Sequence, residues 1–243
     1  MRKAVVNQLN DLDYSGIESL NTICTNLSFA GRNVKKIIFT SNIQSEGKSF
    51  MVIQILQNLA RRGRRVVLVD ADMRRSFMVK RYQIQVEGEL LGLAHYLAGQ
   101  CDLDQVVYET NLYGACVIPA GRDVSNPMAL IDSEYFDDML NQLAEEFDVV
   151  LVDAPPVGMV IDAAVMASAC DGVVFIVEYN KTHVRDLLQC KHQMEQSGTP
   201  VLGCIVNKVR LDTLSAKKYY NKGYYKQYTY GYYRLDNNKD AEK

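Results

Sequence analysis

The segment SNIQSEGKS, residues 41–49, has the composition of a phosphate-binding loop between an apolar run and a helical pattern. Backbone N–H groups at a helix start attract anions, a lysine such as Lys48 reaches the β- and γ-phosphates of a nucleotide, and a hydroxyl such as that of Ser49 binds Mg²⁺. Asn42 stands where the G-x-x-x-x-G-K-[ST] pattern has its first glycine, and asparagine tolerates the left-handed backbone better than most residues. Taken alone, the segment fits nucleotide binding and ordinary helix-start chemistry equally well.

Two further apolar runs end in carboxylates. The run 66–69 is followed by Asp70 and Asp72, and the run 149–152 by Asp153 and two prolines. Ligands bind at the carboxyl ends of strands in open α/β sheets, and the second run has the form of a strand whose aspartate holds Mg²⁺. The ordered combination of loop, paired aspartates and single aspartate predicts a nucleotide site.

The elements that must position these groups follow from the pattern of apolar residues. Short apolar runs suit strands that are buried on both faces, and they alternate with stripes at helical spacing. This alternation predicts an α/β fold with a mostly parallel sheet and helices on both faces. The predicted strands are 34–40, 66–69, 115–119, 149–152, 173–177 and 201–206, and the helical stripes are Val52/Ile55/Leu56/Leu59, Phe136/Leu140/Leu143/Ala144 and Val184/Leu187/Leu188/Met194.

Three segments of the chain differ in composition and in the pattern of their apolar residues. Residues 1–33 read as an N-terminal helical arm, with a helix over about 15–28, residues 34–212 as the nucleotide-binding domain, and residues 213–243 as a flexible tail. The tail carries seven basic and three acidic residues, a net charge of +4. It also holds eight of the 15 tyrosines of the chain, namely Tyr219, Tyr220, Tyr224, Tyr225, Tyr228, Tyr230, Tyr232 and Tyr233.

Composition excludes several classes of protein. An apolar content of 48% argues against a wholly disordered chain, and a net charge of −2 gives no nucleic-acid footprint. No apolar run approaches the ~20 residues that a membrane span requires. We therefore expect a soluble chain in the cytoplasm that reaches a membrane only through a partner and binds no nucleic acid. The six dispersed cysteines read as reduced thiols.

The combined motifs resemble the bacterial tyrosine kinases of capsule and exopolysaccharide synthesis, in the form that is separate from its membrane protein. The resemblance rests on the Lys48-Ser49 loop, the DADMR run from Asp70, Asn126-Pro127 ahead of a helix over 133–146, the DAPP run from Asp153, and the terminal tyrosines. It implies a P-loop NTPase fold of the MinD/ParA-like superfamily. Gln44 and Ser45 replace the usual proline and glycine of the family.

The resemblance and the general chemistry of phosphoryl transfer imply roles for these residues. Lys48, Asp70 and Asp72 are expected to be catalytic, with Asp70 accepting the proton of an incoming tyrosine, although the duties of the two aspartates stay undivided. Ser49, Asp72 and Asp153 are expected to hold Mg²⁺. The residues expected to bind ATP are Ser45, Glu46, Gly47, Lys48, Ser49, Phe50 and Asn207, and the eight tail tyrosines are the expected phosphate acceptors.

The resemblance also implies partners. These are a transmembrane activator of the polysaccharide co-polymerase type, further copies of the chain that phosphorylate its tail in trans, and a counteracting tyrosine phosphatase. The ring-assembly motif E-x-x-R-x-x-R of the family aligns with Glu18, Asn21 and Cys24, so both arginines are replaced. We expect a homo-oligomer, and the sequence leaves open whether it is a ring. Two alternatives remain: a positioning ATPase of the same superfamily, and a nucleotide-binding pseudokinase scaffold.

Overall fold

The computed structural model describes residues 1–31 and 33–209. Met1–Asn207 form one compact unit. The predicted tail, residues 213–243, lies outside the described residues. Within the described ranges, no helix combines the length and the apolar character that a membrane crossing requires.

The compact unit is built on one sheet, whose strands are β1 (Arg2–Val6), β2 (Lys36–Thr40), β3 (Val66–Asp70), β4 (Ile84–Val86), β5 (Tyr108–Thr110), β6 (Cys116–Ile118), β7 (Val149–Asp153), β8 (Gly172–Glu178) and β9 (Val201–Asn207). Their order across the sheet is β4-β1-β5-β6-β3-β7-β2-β8-β9. The pairs β1–β4 and β5–β6 are antiparallel and the other pairs are parallel. The mostly parallel sheet that the sequence predicts is confirmed.

The helices along the described chain are α1 (Tyr14–Phe29), α2 (Lys48–Arg61), α3 (Met78–Arg81), α4 (Leu93–Leu97), α5 (Leu103–Val106), α6 (Met128–Ile131), α7 (Glu134–Glu146), α8 (Asp162–Ala167) and α9 (Val184–Glu195). The stripes predicted for α2 and α7 are buried, because their apolar residues recur on one face. The stripe predicted for α9 is partly wrong: Met194 is buried, but Val184 and Leu188 are exposed.

Two layers of core cover the two faces of the sheet. One layer packs residues of α1, α2 and α3 against the sheet, and the other packs residues of α4, α6, α7, α8 and α9 against the opposite face. Every residue of β3 is buried, as expected for a central strand with neighbours on both sides and helices above and below. Burial on both faces holds the ends of β2, β3 and β7 in fixed register.

Three strands were missed by the sequence predictions. The segment 1–33, expected to be a purely helical arm, begins with β1, which pairs with β4 and β5 inside the compact unit. These strands have three to five residues, and the side chains of β1 alternate between buried and exposed positions. None of them contains an apolar run of more than three residues, so only their pairing partners reveal them. The helix expected over 15–28 is confirmed as α1.

Candidate active site

The connection between β2 and α2 forms a tight loop at the carboxyl edge of the sheet. Ser45 has φ +67° and Gly47 has φ +93°, so both lie in the left-handed region. The residues with left-handed backbone are therefore Ser45 and Gly47, which corrects the expectation for Asn42. Gly47 caps α2, and Lys48 and Ser49 form its first turn. The loop presents the start of a 14-residue helix, which favours an anionic ligand.

Gly47 lies against the side chain of Asn207 at the end of β9. A Cβ atom added at Gly47 would lie 2.0 Å from Asn207 Nδ2. The same amide nitrogen donates a hydrogen bond of 2.9 Å to the backbone oxygen of Glu46. Asn207, expected to contact adenine, is thus also a support of the loop backbone.

Replacing Gly47 by alanine should weaken the binding of Mg·ATP at least about tenfold, because the new methyl group needs the position of the Asn207 amide and a strained φ. Gly63→Ala is the matched control. Gly63 also has a left-handed φ, +78°, but a Cβ there meets nothing within 4 Å. The control should lose about 1 kcal/mol of stability and keep its affinity for Mg·ATP. Equal affinity of both variants, measured by calorimetry, would contradict this role of Gly47.

Two of the residues expected to bind ATP have side chains engaged elsewhere. The Glu46 carboxylate is buried and accepts hydrogen bonds from the backbone N–H groups of Ile43 and Glu178, at 2.9 and 3.2 Å. Phe50 is half-buried, with the guanidinium of Arg81 6.0 Å from its ring centroid. Of Glu46, the backbone and not the side chain is therefore expected to contact the phosphates.

Lys48 forms an ion pair with Asp153 at the end of β7. Its Nζ lies 2.5 Å from Asp153 Oδ1, and both side chains are buried. The same nitrogen lies 3.5 Å from Ser49 Oγ. The predicted lysine, hydroxyl and third carboxylate are thus brought together.

Asp70 is the neighbour of Asp153 in the register of β3 and β7. Its carboxyl is only 1% exposed and accepts a hydrogen bond from the hydroxyl of Ser76. Burial, and next the nearby Asp153, raise the pKa of Asp70 to about 7, while the Ser76 hydrogen bond and Lys48 act in the opposite direction. A carboxyl with a pKa in this range is suited to accept a proton near neutral pH.

Asp72 lies two residues beyond Asp70, in the turn after β3. Burial is the main cause that raises the pKa of Asp72, opposed by Lys48, and the backbone N–H of Arg75 donates to its Oδ1 at 3.2 Å. Three carboxylates thus gather around one lysine.

The sequence predictions missed an ion pair that fixes this turn. Arg74 donates from Nε and Nη2 to the two carboxylate oxygens of Asp162, at 2.6 and 3.0 Å, and Asp162 is buried in the first turn of α8. The two-bond geometry fixes the orientation of the guanidinium. The sequence did contain a signal for this pair. Asp162 follows the two prolines after β7 closely enough to stay at the edge of the sheet where Arg74 lies.

The donor set fits a magnesium ion that arrives with a nucleotide. No group of three or more His, Cys, Asp or Glu side chains within the described ranges could hold a metal by itself. Mg²⁺ usually takes one or two carboxylates together with phosphate oxygens and water, so it does not need such a cage. Asp72, Asp153 and the Ser49 hydroxyl supply oxygens of the required kind, and the excess of carboxylates over the one lysine favours a cation.

The residues aligned with the ring-assembly motif lie on the side of α1 that faces α2. Cys24 is fully buried, and Asn21 Oδ1 accepts hydrogen bonds from Asn58 Nδ2 and Arg62 Nη2, both at 3.0 Å. Glu18 accepts from Asn21 Nδ2 at 3.3 Å. Asn21 thus joins α1 to Asn58 of α2 and to Arg62, which caps the end of α2, whereas the Glu18 contact lies within α1. The eight tail tyrosines lie outside the described residues.

Known proteins share both the sequence and the fold. The family model described as an AAA domain matches residues 34–198. The tyrosine-protein kinase CpsD of Streptococcus agalactiae is 38% identical over 206 residues, which cover 85% of this chain and 89% of that protein. The kinase domain of the Escherichia coli tyrosine kinase ETK superposes with a TM-score of 0.77 at 27% identity, covering 82% of this chain and 78% of that one.

The wider fold is shared with a nucleotide-bound protein. The septum site-determining protein MinD of Pyrococcus horikoshii, complexed with Mg-ADP, has a TM-score of 0.61 at 20% identity, with 71% of this chain and 70% of that one covered. This likeness confirms the expected fold class. Fold, site geometry and the extent of the match to CpsD agree, and the chain belongs to the family of bacterial tyrosine-protein kinases.

Proposed function

We propose that this chain is an ATP-dependent tyrosine kinase that phosphorylates its own tail and acts in capsular or exopolysaccharide synthesis. The observation that carries the proposal is the convergence of Lys48, Asp153 and Asp70 at one edge of the sheet. Lys48 lies at the start of α2, and the two aspartates end adjacent strands. Phosphoryl transfer needs mostly positioning and neutralisation of charge, and these residues supply both.

Several residues around the loop share the binding of Mg·ATP. Mg·ATP supplies the phosphoryl group that is transferred. The backbone N–H groups of residues 45–49 would surround the phosphates, and Lys48, which now contacts Asp153, would neutralise their charge. Ser49, Asp72 and Asp153 would hold the magnesium ion. Asn207, at the end of β9, lies beside the loop where the adenine end of the nucleotide would approach.

Asp70 accepts the proton of the incoming tyrosine. The phenol has an ordinary pKa of about 10 and is neutral near pH 7, so its attack benefits from a positioned acceptor. Asp70 already receives a hydroxyl hydrogen bond, from Ser76, which shows that the carboxylate accepts from an O–H group in this geometry. Asp72 takes the metal and leaves Asp70 for the proton, which divides the two duties.

The tail supplies the acceptors. Each phosphate adds about −1.5 to −2 charges. The segment 213–243 carries seven basic and three acidic residues, so two or three modifications cancel its charge and further ones reverse it. A tail that is phosphorylated in trans by a neighbouring copy then carries a net negative charge and is repelled from acidic surfaces of that copy, which favours separation of the copies.

The proposed partners follow from family membership. They are a transmembrane activator of the polysaccharide co-polymerase type, which holds the kinase at the cytoplasmic face of the membrane, other copies of the chain, and a tyrosine phosphatase that reverses the modification. The exposed Val184 and Leu188, on the first turns of α9, supply apolar surface for such contacts.

Incubation with radiolabelled ATP and Mg²⁺, followed by phosphoamino-acid analysis, separates the kinase from its alternatives. The full chain, co-expressed with its activator, should carry label on tyrosine. Release of free phosphate without labelled tyrosine would instead identify a positioning ATPase. Binding of ATP with neither product would identify a pseudokinase scaffold.

A further inference from the structure

The carboxylate of Glu46 lies behind the phosphate loop and joins it to a separate part of the chain. Oε2 accepts the N–H of Ile43 at 2.9 Å, and Oε1 accepts the N–H of Glu178 at 3.2 Å and the hydroxyl of Thr182. The side chain of Glu46 is 1% exposed. Three hydrogen bonds hold this side chain away from water, so the carboxylate forms a junction between the loop and the segment after β8.

On the loop side, the junction holds a strained segment. The bond from the Ile43 N–H to Glu46 closes the loop across Gln44 and Ser45. Ser45 has φ +67° without being a glycine. A residue held in this region of backbone space persists only where its surroundings fix it. The Glu46 carboxylate is placed to fix the backbone of the loop at Ser45.

On the other side, the junction reaches the connection between β8 and α9. Asn180 turns the chain there with a left-handed φ of +57°, and Thr182 follows. The N–H of Tyr179 donates to the backbone oxygen of Asn207 at 2.9 Å, and the amide of Asn207 donates to the backbone oxygen of Glu46. The ends of β8 and β9 and the phosphate loop therefore meet at Glu46, and Thr182 adds a side-chain hydroxyl to that meeting point.

We propose that Thr182 is a positioning residue of the nucleotide site. Its hydroxyl holds the Glu46 carboxylate, and Glu46 holds the phosphate loop in the shape that receives Mg·ATP. This role rests on the proposed function and adds a residue outside the phosphate loop to it. Without the Thr182 hydroxyl, Oε1 keeps only the N–H of Glu178. The carboxylate then has one hydrogen bond fewer to fix its orientation, and its bond to the Ile43 N–H weakens.

Calorimetric titration of the full chain with Mg·ATP tests this. Thr182→Val keeps the shape of the side chain and removes the hydroxyl, and its Kd for Mg·ATP should rise about tenfold. Thr182→Ser restores the hydroxyl and should bind within about twofold of the wild type. Glu46→Gln replaces one of the two accepting oxygens by an NH₂ group, which cannot accept a hydrogen bond from the donors that face it. It should also bind weakly, and adding Thr182→Val to it should weaken binding little further, because both changes break the same junction.

The matched control is Thr199→Val, which also removes a threonine hydroxyl that donates a hydrogen bond. The buried hydroxyl of Thr199 donates to the backbone oxygen of Ala167 at 2.6 Å, near the start of β9. This variant should unfold at a lower temperature and bind Mg·ATP with the wild-type Kd. Wild-type affinity in Thr182→Val, or an equal loss of affinity in Thr199→Val, would overturn the positioning role alone. A wild-type chain that does not bind Mg·ATP would overturn the proposed function and this proposal together.

Discussion

Replacing Lys48 by methionine should lower ATP-dependent tyrosine phosphorylation about 1,000-fold, the size of effect seen when a main stabiliser of transition-state charge is removed. Lys48 is buried and faces Asp153 and Asp70, so methionine leaves these carboxylates without their nearby cation. The free energy of unfolding of the nucleotide-free protein should fall by about 3 kcal/mol near pH 8. A kinase assay and urea unfolding measure the two effects.

Lys191→Met is the control for the loss of a lysine. Lys191 is partly exposed and forms an ion pair with Glu195 one turn along α9. Its replacement should keep the phosphorylation rate and change the stability by no more than about 0.5 kcal/mol. A Lys48→Met variant that phosphorylates tyrosine at the wild-type rate would remove the basis for the whole site assignment.

Replacing Asp70 by asparagine should lower the phosphorylation rate by about 100-fold or more, because the proton of the tyrosine loses its acceptor. The same change should stabilise the protein in the absence of nucleotide and magnesium. Burial beside Asp153 raises the pKa of Asp70 to about 7, so the folded protein holds this proton more tightly than the unfolded chain does. An amide at this position avoids the burial of a charge.

The sign of this effect sets its pH dependence. The stability that Asp70 contributes is fully present below pH ~4, falls as the pH rises, and is lost above the folded-state pKa of about 7. The gain from Asp70→Asn should therefore be absent near pH 4, grow towards pH 7 and stay constant above it. Its size at pH 8 should be on the order of 4 kcal/mol, because the pKa of Asp70 rises from its ordinary 3.8 to about 7.

Thermal unfolding between pH 4 and pH 8 checks this dependence. The exposed Asp11 offers a control, and Asp11→Asn should show the wild-type profile. A gain from Asp70→Asn that is the same at pH 4.5 and pH 8 would show that the burial of charge is not its cause. A full phosphorylation rate in this variant would assign the proton to another group.

The main strands and the ends that carry chemistry were predictable from the sequence. Continuous apolar runs identified β3 and β7, because strands buried on both faces have no polar alternation. The parallel arrangement then placed Asp70 and Asp153 at one edge, where the structure makes them register neighbours. Pattern and topology were sufficient here, because the relevant residues directly follow the strands.

Contacts that depend on the path of the chain were not predictable. The orientation of Glu46 towards Thr182 depends on how the connection after β8 turns, which no local pattern encodes. The pair of Arg74 and Asp162 joins two turns that are 88 residues apart in sequence. The short strand β1 contains only three consecutive apolar residues, because its first two residues are an arginine and a lysine. In each case tertiary packing determines a feature that local propensity leaves open.

Mass-spectrometric mapping of phosphotyrosine tests the central claim most directly. The full chain, co-expressed with the proposed transmembrane activator, is incubated with Mg·ATP beside the Lys48→Met variant. We expect several phosphotyrosines between residues 219 and 233 in the wild type and none in the variant. A wild-type chain that consumes ATP but carries no phosphotyrosine in this segment would contradict the assignment as a kinase of its own tail.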